Sequence, residues 1–417
     1  MNILQINRNY SSGGAAVVAR RLHNALNELQ GVSSVILCRN ASGNSNESLF
    51  ELYPKLTGRI KSVLIDKFEQ LTGCQYHFQK KIGSISDLEV FKNADVVHFH
   101  ITHGGYIDQK LVVEVAKLKP VVWTFHDMWT LTGRCAHSYD CDKWTTGCGS
   151  CPNTGTYPIQ FIDRSSYLWK LKKELYSNIQ VNIISPSSWL RNKIMKSIVS
   201  HWPCTTIPNA VDLTVFRYNK NQSENIRNKL NIPLKRKIFL FVAHGGIDNN
   251  YKGFNILKDA LKEIQNSNDN PYLLVIGGSD KRNLNYLGIS GKSIGVITDE
   301  ILLADYYTAS DFYLIPSVQE NLPLTIMESL GCGTPVIAFD VGGIPEMLKH
   351  KVTGYLAEGT SKEFFVKGIN WACNMNDEEY FKSSVACRKF AEDNYSIELF
   401  VEKHMKVYKN SINDNIV

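Results

Sequence analysis

Two glutamates, Glu320 and Glu328, stand with seven residues between them in the segment DFYLIPSVQENLPLTIMESLGCGTPVIAFDVGGIPE (311–346). The segment reads strand, loop, helix, strand, loop, and Pro323 suits the first turn of the helix, where a missing N–H costs nothing. Backbone N–H groups around Asn321, Leu322, Leu324 and Thr325 then face the space above a sheet, and with the helix dipole they suit a diphosphate. Glu328 falls one turn after Leu324, so it can face the same ligand. A carboxylate accepts two hydroxyls at once, which fits the vicinal diol of a ribose or hexose. An acidic residue near a helix start is also ordinary dipole complementation. Spacing alone does not choose between the two.

Histidines and cysteines form two further groups. In DVVHFHITHGG (95–105) His98 and His100 share a strand face, and His100 and His103 lie near its carboxyl end. PVVWTFHDMW puts His126 and Asp127 just after another strand. Histidine is a common metal ligand, yet a core role for His98 and a cleft-lining role for His100 or His103 is the better reading. Cys135, Cys141, Cys148 and Cys151 fall within 17 residues, spaced six, seven and three positions apart, which matches no named zinc motif. In a reducing compartment such clustering argues for zinc before disulfides. A structural zinc fixing a loop too polar for its own core, and four reduced thiols in a loop beside the acceptor, both stay open, and His137 is a competing ligand.

These groups need elements to position them. Apolar stretches at 1–7, 35–38, 95–100, 120–126 and 182–185 alternate with helical patterns, and the alternation restarts near 205–208 with strands at 238–243, 272–278, 293–297, 311–316 and 335–339. This is the signature of parallel α/β sheets. It predicts two Rossmann-like domains, at 1–203 (with a Cys-rich loop at 133–152) and 204–394, and a final helix at 395–417. Ligands of such sheets bind beyond the carboxyl ends of the strands. The 417 residues, 43% hydrophobic and 21% charged, fit two cored domains and exclude a miniprotein or a disordered chain. No apolar run reaches the roughly 18 residues of a membrane span. MNILQINRNY lacks the marks of a signal peptide, so a cytoplasmic chain is expected.

Charge is uneven. Residues 1–205 hold 23 Lys/Arg against 15 Asp/Glu, and 206–417 hold 23 against 25. The basic half suggests an anionic partner. Nucleic acid is not expected, since no basic run or aromatic–basic motif supports it. Within 55–81, Ile60, Leu64, Lys67, Phe68 and Leu71 recur at helical spacing among Lys55, Arg59, Lys61, Lys80 and Lys81. A basic amphipathic helix of this kind can lie on an anionic leaflet, on the inner face of the cell membrane; an ordinary helix packed on the sheet is the alternative.

The Glu320–Glu328 pair, set between SVQENLPL and ESLGCGTPVIAFDVGGIPE, resembles the donor-site signature of the family 4 retaining glycosyltransferases. Most of the chain shares the resemblance. Asn7 to Gly14 is similar to the family's Gly-rich loop, IPNAVD (207–212) to its linker, HDMW to the motif with its cleft histidine, and Tyr251-Lys252-Gly253 to the motif carrying its phosphate-binding lysine. YSIELFVEKHMKVYKN (395–410) resembles its crossover helix. HDMW and the Cys-rich stretch resemble colanic-acid and other exopolysaccharide transferases. The resemblance implies a GT-B fold, in which two domains face each other across a cleft and the last helix crosses back to the N-domain. It implies a nucleotide-sugar donor held by Gly13, Gly14, Lys252, Asn321, Leu322, Pro323, Leu324 and Glu328. The catalytic roles fall to Glu320, His126 and Lys252, while His100, His103 and Asp127 are candidates for the acceptor cleft. Reaction without a catalytic cofactor is implied, onto a polyprenyl-diphosphate-linked or other saccharide of a bacterial surface polysaccharide such as lipopolysaccharide. One departure stands out: Gly246 occupies the place of the family's phosphate-pairing arginine, which leaves either His244 as a substitute or Lys252 and the helix N-terminus to carry the charge alone. A sugar-nucleotide epimerase, or a non-catalytic nucleotide-sugar-binding protein of the same fold, are the alternatives.

Overall fold

The computed structural model describes residues 1–40, 48–52, 56–76, 78–79, 85–152, 154–233, 235–248, 252–264, 271–279 and 281–414, without the side chains of residues 56, 57 and 59. Tyr251, Lys55, Lys80 and Lys81 lie outside them. The chain forms two units, Met1–Asn209 with Glu398–Val417, and Ala210–Ile397.

The first unit is built on seven parallel strands: β1 (Asn2–Asn9), β2 (Ser33–Asn40), β3 (Leu49–Glu51), β4 (Val96–Phe99), β5 (Val121–Thr124), β6 (Asn182–Ser185) and β7 (Cys204–Thr206). Their order is β3-β2-β1-β4-β5-β6-β7. The central strands are buried along their length, as VVHF and VVWT show, because helices cover both faces of a parallel sheet. Trp123, Phe99, Phe125, Tyr176 and Trp202 fill the core beside them. Trp123 meets Phe125 edge to face at 5.0 Å.

The second unit carries β8 (Ile238–Val242), β9 (Tyr272–Ile276), β10 (Gly291–Gly295), β11 (Phe312–Ile315), β12 (Val336–Phe339) and β13 (Gly354–Ala357), ordered β10-β9-β8-β11-β12-β13. Apolar layers cover both faces of this sheet.

The expected boundary at 203/204 would cut off β7, which pairs in parallel with β6 through Ile183 and Cys204 and is continued by the Ile207 N–H bonding to the Ser185 carbonyl. The final helix Ile397–Asn413 groups with the first unit, the N-domain to which the resemblance has it cross back. It packs on the first unit, where the Tyr408 hydroxyl lies 2.7 Å from His98 Nδ1. Both sheets reverse strand order at their centre, between β1 and β4 and between β8 and β11. The space beyond the carboxyl ends of such a pair is where open α/β sheets bind ligands.

Candidate active site

In the second unit the loops after β8 and β11 meet. Lys252 leaves the first loop, and Gly253 follows at φ +75; a Cβ there would fall 2.0 Å from the Pro316 carbonyl oxygen at the end of β11. Only glycine permits that approach. It brings Lys252 Nζ to 2.5 Å from Glu320 Oε1, with the side chains 35% and 12% exposed. Glu320 is held from behind. Gly343 N–H donates to its carbonyl at 3.2 Å, and a Cβ on Gly342 would collide with the same oxygen. The helix Leu324–Gly331 starts next, with Pro323 at its N-cap. Its first N–H groups have no carbonyl one turn back within the helix. Asn321 is half-buried and Leu322 buried.

Glu328 is buried within this helix, and the Tyr307 hydroxyl donates to its Oε2 at 3.4 Å. Burial first, and the nearby Glu328 charge second, push the Tyr307 hydroxyl well above its ordinary pKa, so it remains a donor. Tyr313, whose hydroxyl donates to Thr325 Oγ1 at 2.8 Å, lies near both glutamates; burial and those two charges raise its pKa. Neither tyrosine stood out in the sequence, where each reads as an ordinary core aromatic.

Gly246 has a structural reason. It takes φ +57, and a Cβ would fall 2.6 Å from the backbone nitrogen of Gly278. The Gly245 N–H bonds to the Gly277 carbonyl, so the loops after β8 and β9 pack backbone against backbone. No side chain fits at 246. His244 is exposed on this loop.

In the first unit the histidines converge at the ends of β4 and β5. His98 is enclosed between Tyr408 and Thr124 Oγ1, at 2.7 and 2.8 Å. His100 Nε2 lies 2.9 Å from Gln5 Oε1, and its Nδ1 lies 3.1 Å from His126 Nε2. With the Gln5 oxygen facing it, His100 is protonated on Nε2. Its Nδ1 then accepts from His126 Nε2–H, which fixes the tautomer of His126. Burial lowers the pKa of His126 to about 4, so the ring is neutral near pH 7.

His103 Nε2 lies 2.7 Å from Asp127 Oδ2, and His103 Nδ1 lies 3.2 Å from the Tyr157 hydroxyl. Burial pushes the Asp127 carboxyl up. The charge and hydrogen bond of His103, with the Trp129 N–H at 2.8 Å, outweigh it and bring the pKa to about 2. Tyr157 also receives a hydrogen bond from Arg8 at 3.4 Å. Arg8 follows the core of β1 and could have been found as a strand-end residue; Tyr157 carries no signal in the sequence. Gly13, at φ +92, caps the helix Gly14–Asn27. The structure thus gathers His100, His103, His126 and Asp127 in one unit, and Lys252, Glu320 and Glu328 in the other.

Among the described residues no three His, Cys, Asp or Glu side chains are grouped to hold a metal ion. Cys148 Sγ accepts from the Gly133 N–H at 3.2 Å, and Arg134 reaches Cys151 Sγ at 3.6 Å. The cysteine loop has anchors of its own. Arg134, 1% exposed, donates to the carbonyls of Thr154, Thr156 and Pro158. Lys172, fully buried, donates to the carbonyls of Trp129 and Thr132 at 2.6 and 2.9 Å, and burial lowers its pKa to about 7.

Comparison with known proteins agrees with this architecture. Residues 12–215 match the profile described as Glycosyltransferase Family 4, and residues 222–394 match Glycosyl transferases group 1. The putative colanic acid biosynthesis glycosyl transferase WcaC of Escherichia coli (strain K12) is 29% identical over 367 residues, which cover 84% of this chain and 85% of WcaC. The lipopolysaccharide 1,2-N-acetylglucosaminetransferase of Salmonella typhimurium (strain LT2) is 27% identical over 46% of this chain and 53% of its own length. The crystal structure of Anabaena HepE in complex with UDP-glucose superposes with a TM-score of 0.64 at 12% identity, over 98% of this chain and 100% of HepE. The chain is a glycosyltransferase of GT-B fold and belongs to the group described by these two profiles, family 4 in its first half and group 1 in its second.

Proposed function

We propose that this glycosyltransferase takes a sugar from a nucleotide-diphosphate donor, retains its anomeric configuration, and passes it to a lipid-linked saccharide of a bacterial surface polysaccharide. The observation that carries the reading is the contact of Lys252 with Glu320 beyond the β8/β11 switch point. HepE, by its title, binds UDP-glucose, and the names of WcaC and the Salmonella transferase place them in colanic acid and lipopolysaccharide synthesis. Lys252 offsets the negative charge that grows on the leaving diphosphate, and the start of the helix Leu324–Gly331 faces the same oxygens. Glu320 accepts hydroxyls of the donor sugar and orients its anomeric carbon, while Glu328 holds the ribose. The new bond forms on the face the phosphate leaves, and the leaving oxygen takes the acceptor's proton. The neutral His126 contacts the donor sugar or the incoming acceptor. No step is assigned to a cofactor.

The lipid-linked acceptor is supported by the helix Leu56–Thr72. It exposes Ile60, Leu64, Phe68 and Leu71 beside Lys61 and Lys67, which suits an anionic membrane surface. Among the described residues no helix is long and apolar enough to cross a membrane.

Thermal unfolding with UDP-, GDP-, ADP- and dTDP-sugars tests the reading. One nucleotide at 100 times its dissociation constant should stabilise by about 2.7 kcal/mol, and Lys252→Ala should abolish the shift. NMR of the transfer product should show the anomer of the donor. A chain indifferent to all four nucleotides, or an inverted product, would overturn it.

A further inference from the structure

We infer that a cavity of about 300 Å³ in the first unit, lined by Arg8, Asp66, Gln75, Tyr157, Gln160 and Phe161 among others, is the subsite for one sugar unit of the acceptor. The inference rests on the saccharide acceptor proposed above and names the group that the site recognises. The volume stands at the lower end of the roughly 300–1,000 Å³ of small-molecule pockets.

Two buried amides carry the argument. Gln75, 3% exposed, turns its Oε1 to the Trp129 indole N–H at 2.9 Å. An indole only donates, so the oxygen must face it and the amide nitrogen must face away. Gln160, also 3% exposed, turns its Oε1 to Arg134 Nε at 3.3 Å, and a guanidinium likewise only donates. Gln75 Nε2, Gln160 Nε2 and Arg8 Nε are all buried without a hydrogen-bond partner. A buried donor left unsatisfied costs about 1–3 kcal/mol. All three belong to residues that line this one cavity, where the oxygens of a bound ligand, reached by a small shift of these side chains, satisfy them.

The other walls narrow the ligand. Gly104, at φ +96, makes room for the guanidinium: a Cβ there would fall 2.5 Å from Arg8 Nε. Asp66 supplies a carboxylate for sugar hydroxyls, steadied by Gln70 Nε2 at 3.3 Å. Tyr157 and Phe161, 45% and 72% exposed, offer ring surface to the C–H face of a pyranose. The amide and guanidinium donors, with the carboxylate of Asp66 and with Glu69 already engaged by the Phe78 N–H and Gln79, fit a sugar bearing an acetamido or carboxylate group. The oxygens of that group take these N–H groups, and the ring hydroxyls go to Asp66. The Tyr157 hydroxyl bridges Arg8 and His103, so the next hydroxyl of a bound saccharide is directed toward His103 and Asp127.

Saturation-transfer NMR on the full chain tests this with the methyl glycosides of N-acetylglucosamine, glucuronic acid and glucose at millimolar concentration. The acetamido or the carboxylate sugar should bind and glucose should bind at least about tenfold more weakly. Asp66→Asn and Gln160→Met should each weaken that binding by about tenfold, with the donor-induced thermal shift confirming that each variant is folded. Phe161→Ala, at an exposed position, should weaken it several-fold and serves should a buried substitution fail to fold. No binding of any glycoside by a chain that binds its nucleotide sugar, or binding untouched by the folded variants, would overturn the inference. Loss of the nucleotide response in the unmodified chain would instead overturn the donor reading.

Discussion

Lys252 Nζ lies 2.5 Å from Glu320 Oε1, although 68 residues separate them in the chain. The contact exists because β8 and β11 are neighbours and Gly253 lets one loop touch the end of the other strand. Lys252 is about a third exposed, so solvent screens the pair and it adds at most about 1 kcal/mol to folding. Substitution should therefore be read in transfer and not in stability. Lys252→Ala and Glu320→Gln should each lower kcat by about 10²–10³-fold with little change in Tm. Groups that act as a unit are non-additive, so the double variant should fall little below the worse single one. A double variant equal to the product of the singles would make the roles independent.

Gly246→Arg puts back the arginine that the family resemblance leads one to expect. It should fail. The left-handed backbone and the contact with Gly278 leave no volume for a Cβ. Strain of this kind costs about 1–3 kcal/mol, and the clash adds to it. Thermal melts should show a loss of several degrees, and nucleotide-sugar affinity should not rise. A folded variant that binds the donor more tightly would mean that the loops after β8 and β9 can separate.

Much of this was legible in the sequence. Glu320 and Glu328 could be placed because a strand, a proline and a helix sit in an order that leaves little choice of geometry. Ten of the thirteen strands among the described residues could be read from apolar runs, while β3 and β13 have no run long enough to mark them. β7 could not, since CTT is short, exposed in part and defined only by its pairing with β6. Nor could the anchors of the cysteine loop: Arg134 and Lys172 read as surface charges until the fold surrounds them with carbonyls. The partners of Glu328 were hidden for a similar reason. A tyrosine in a helix or strand looks like core, and only the tertiary structure shows which carboxylate its hydroxyl meets.

Acid should destabilise the first unit through its histidines. Burial lowers the pKa of His23, His98, His100, His126 and His404, the last to about 4. The unfolded chain therefore binds more protons as pH falls below about 6.5, and stability present above that value is lost toward pH 4. His404 isolates the effect. Its Nδ1 donates to the Phe400 carbonyl at 2.8 Å, and its buried Nε2 has no partner. Keeping it neutral costs about 2 kcal/mol by pH 5. His404→Phe should leave Tm at pH 7.5 nearly unchanged and flatten its decline between pH 6.5 and 5. An unchanged acid limb would shift the blame to carboxylates.

The helix Leu56–Thr72 has its faces reversed. Among its described side chains Ser62 and Glu69 are the buried ones, while Ile60, Val63, Leu64, Phe68 and Leu71 are 49–65% exposed. A helix packed on a soluble core shows the opposite pattern. Its inner face, with Asp66 and Glu69, lines the sugar cavity, and its outer face offers apolar side chains flanked by Lys61 and Lys67. One element thus suits an acceptor whose sugar and lipid lie on opposite sides of it. The chain should co-sediment with vesicles containing anionic lipid at low salt. Leu64→Glu with Phe68→Glu should abolish binding, since both the apolar area and the charge balance are lost. Each of Lys61→Gln and Lys67→Gln should weaken it by about 1 kcal/mol, roughly fivefold, and added salt should do the same through screening. Sedimentation that ignores Leu64 and Phe68 would rule this face out. A dimer in solution that the same double substitution dissolves would make it a contact between copies of the chain, with the acceptor's lipid held elsewhere.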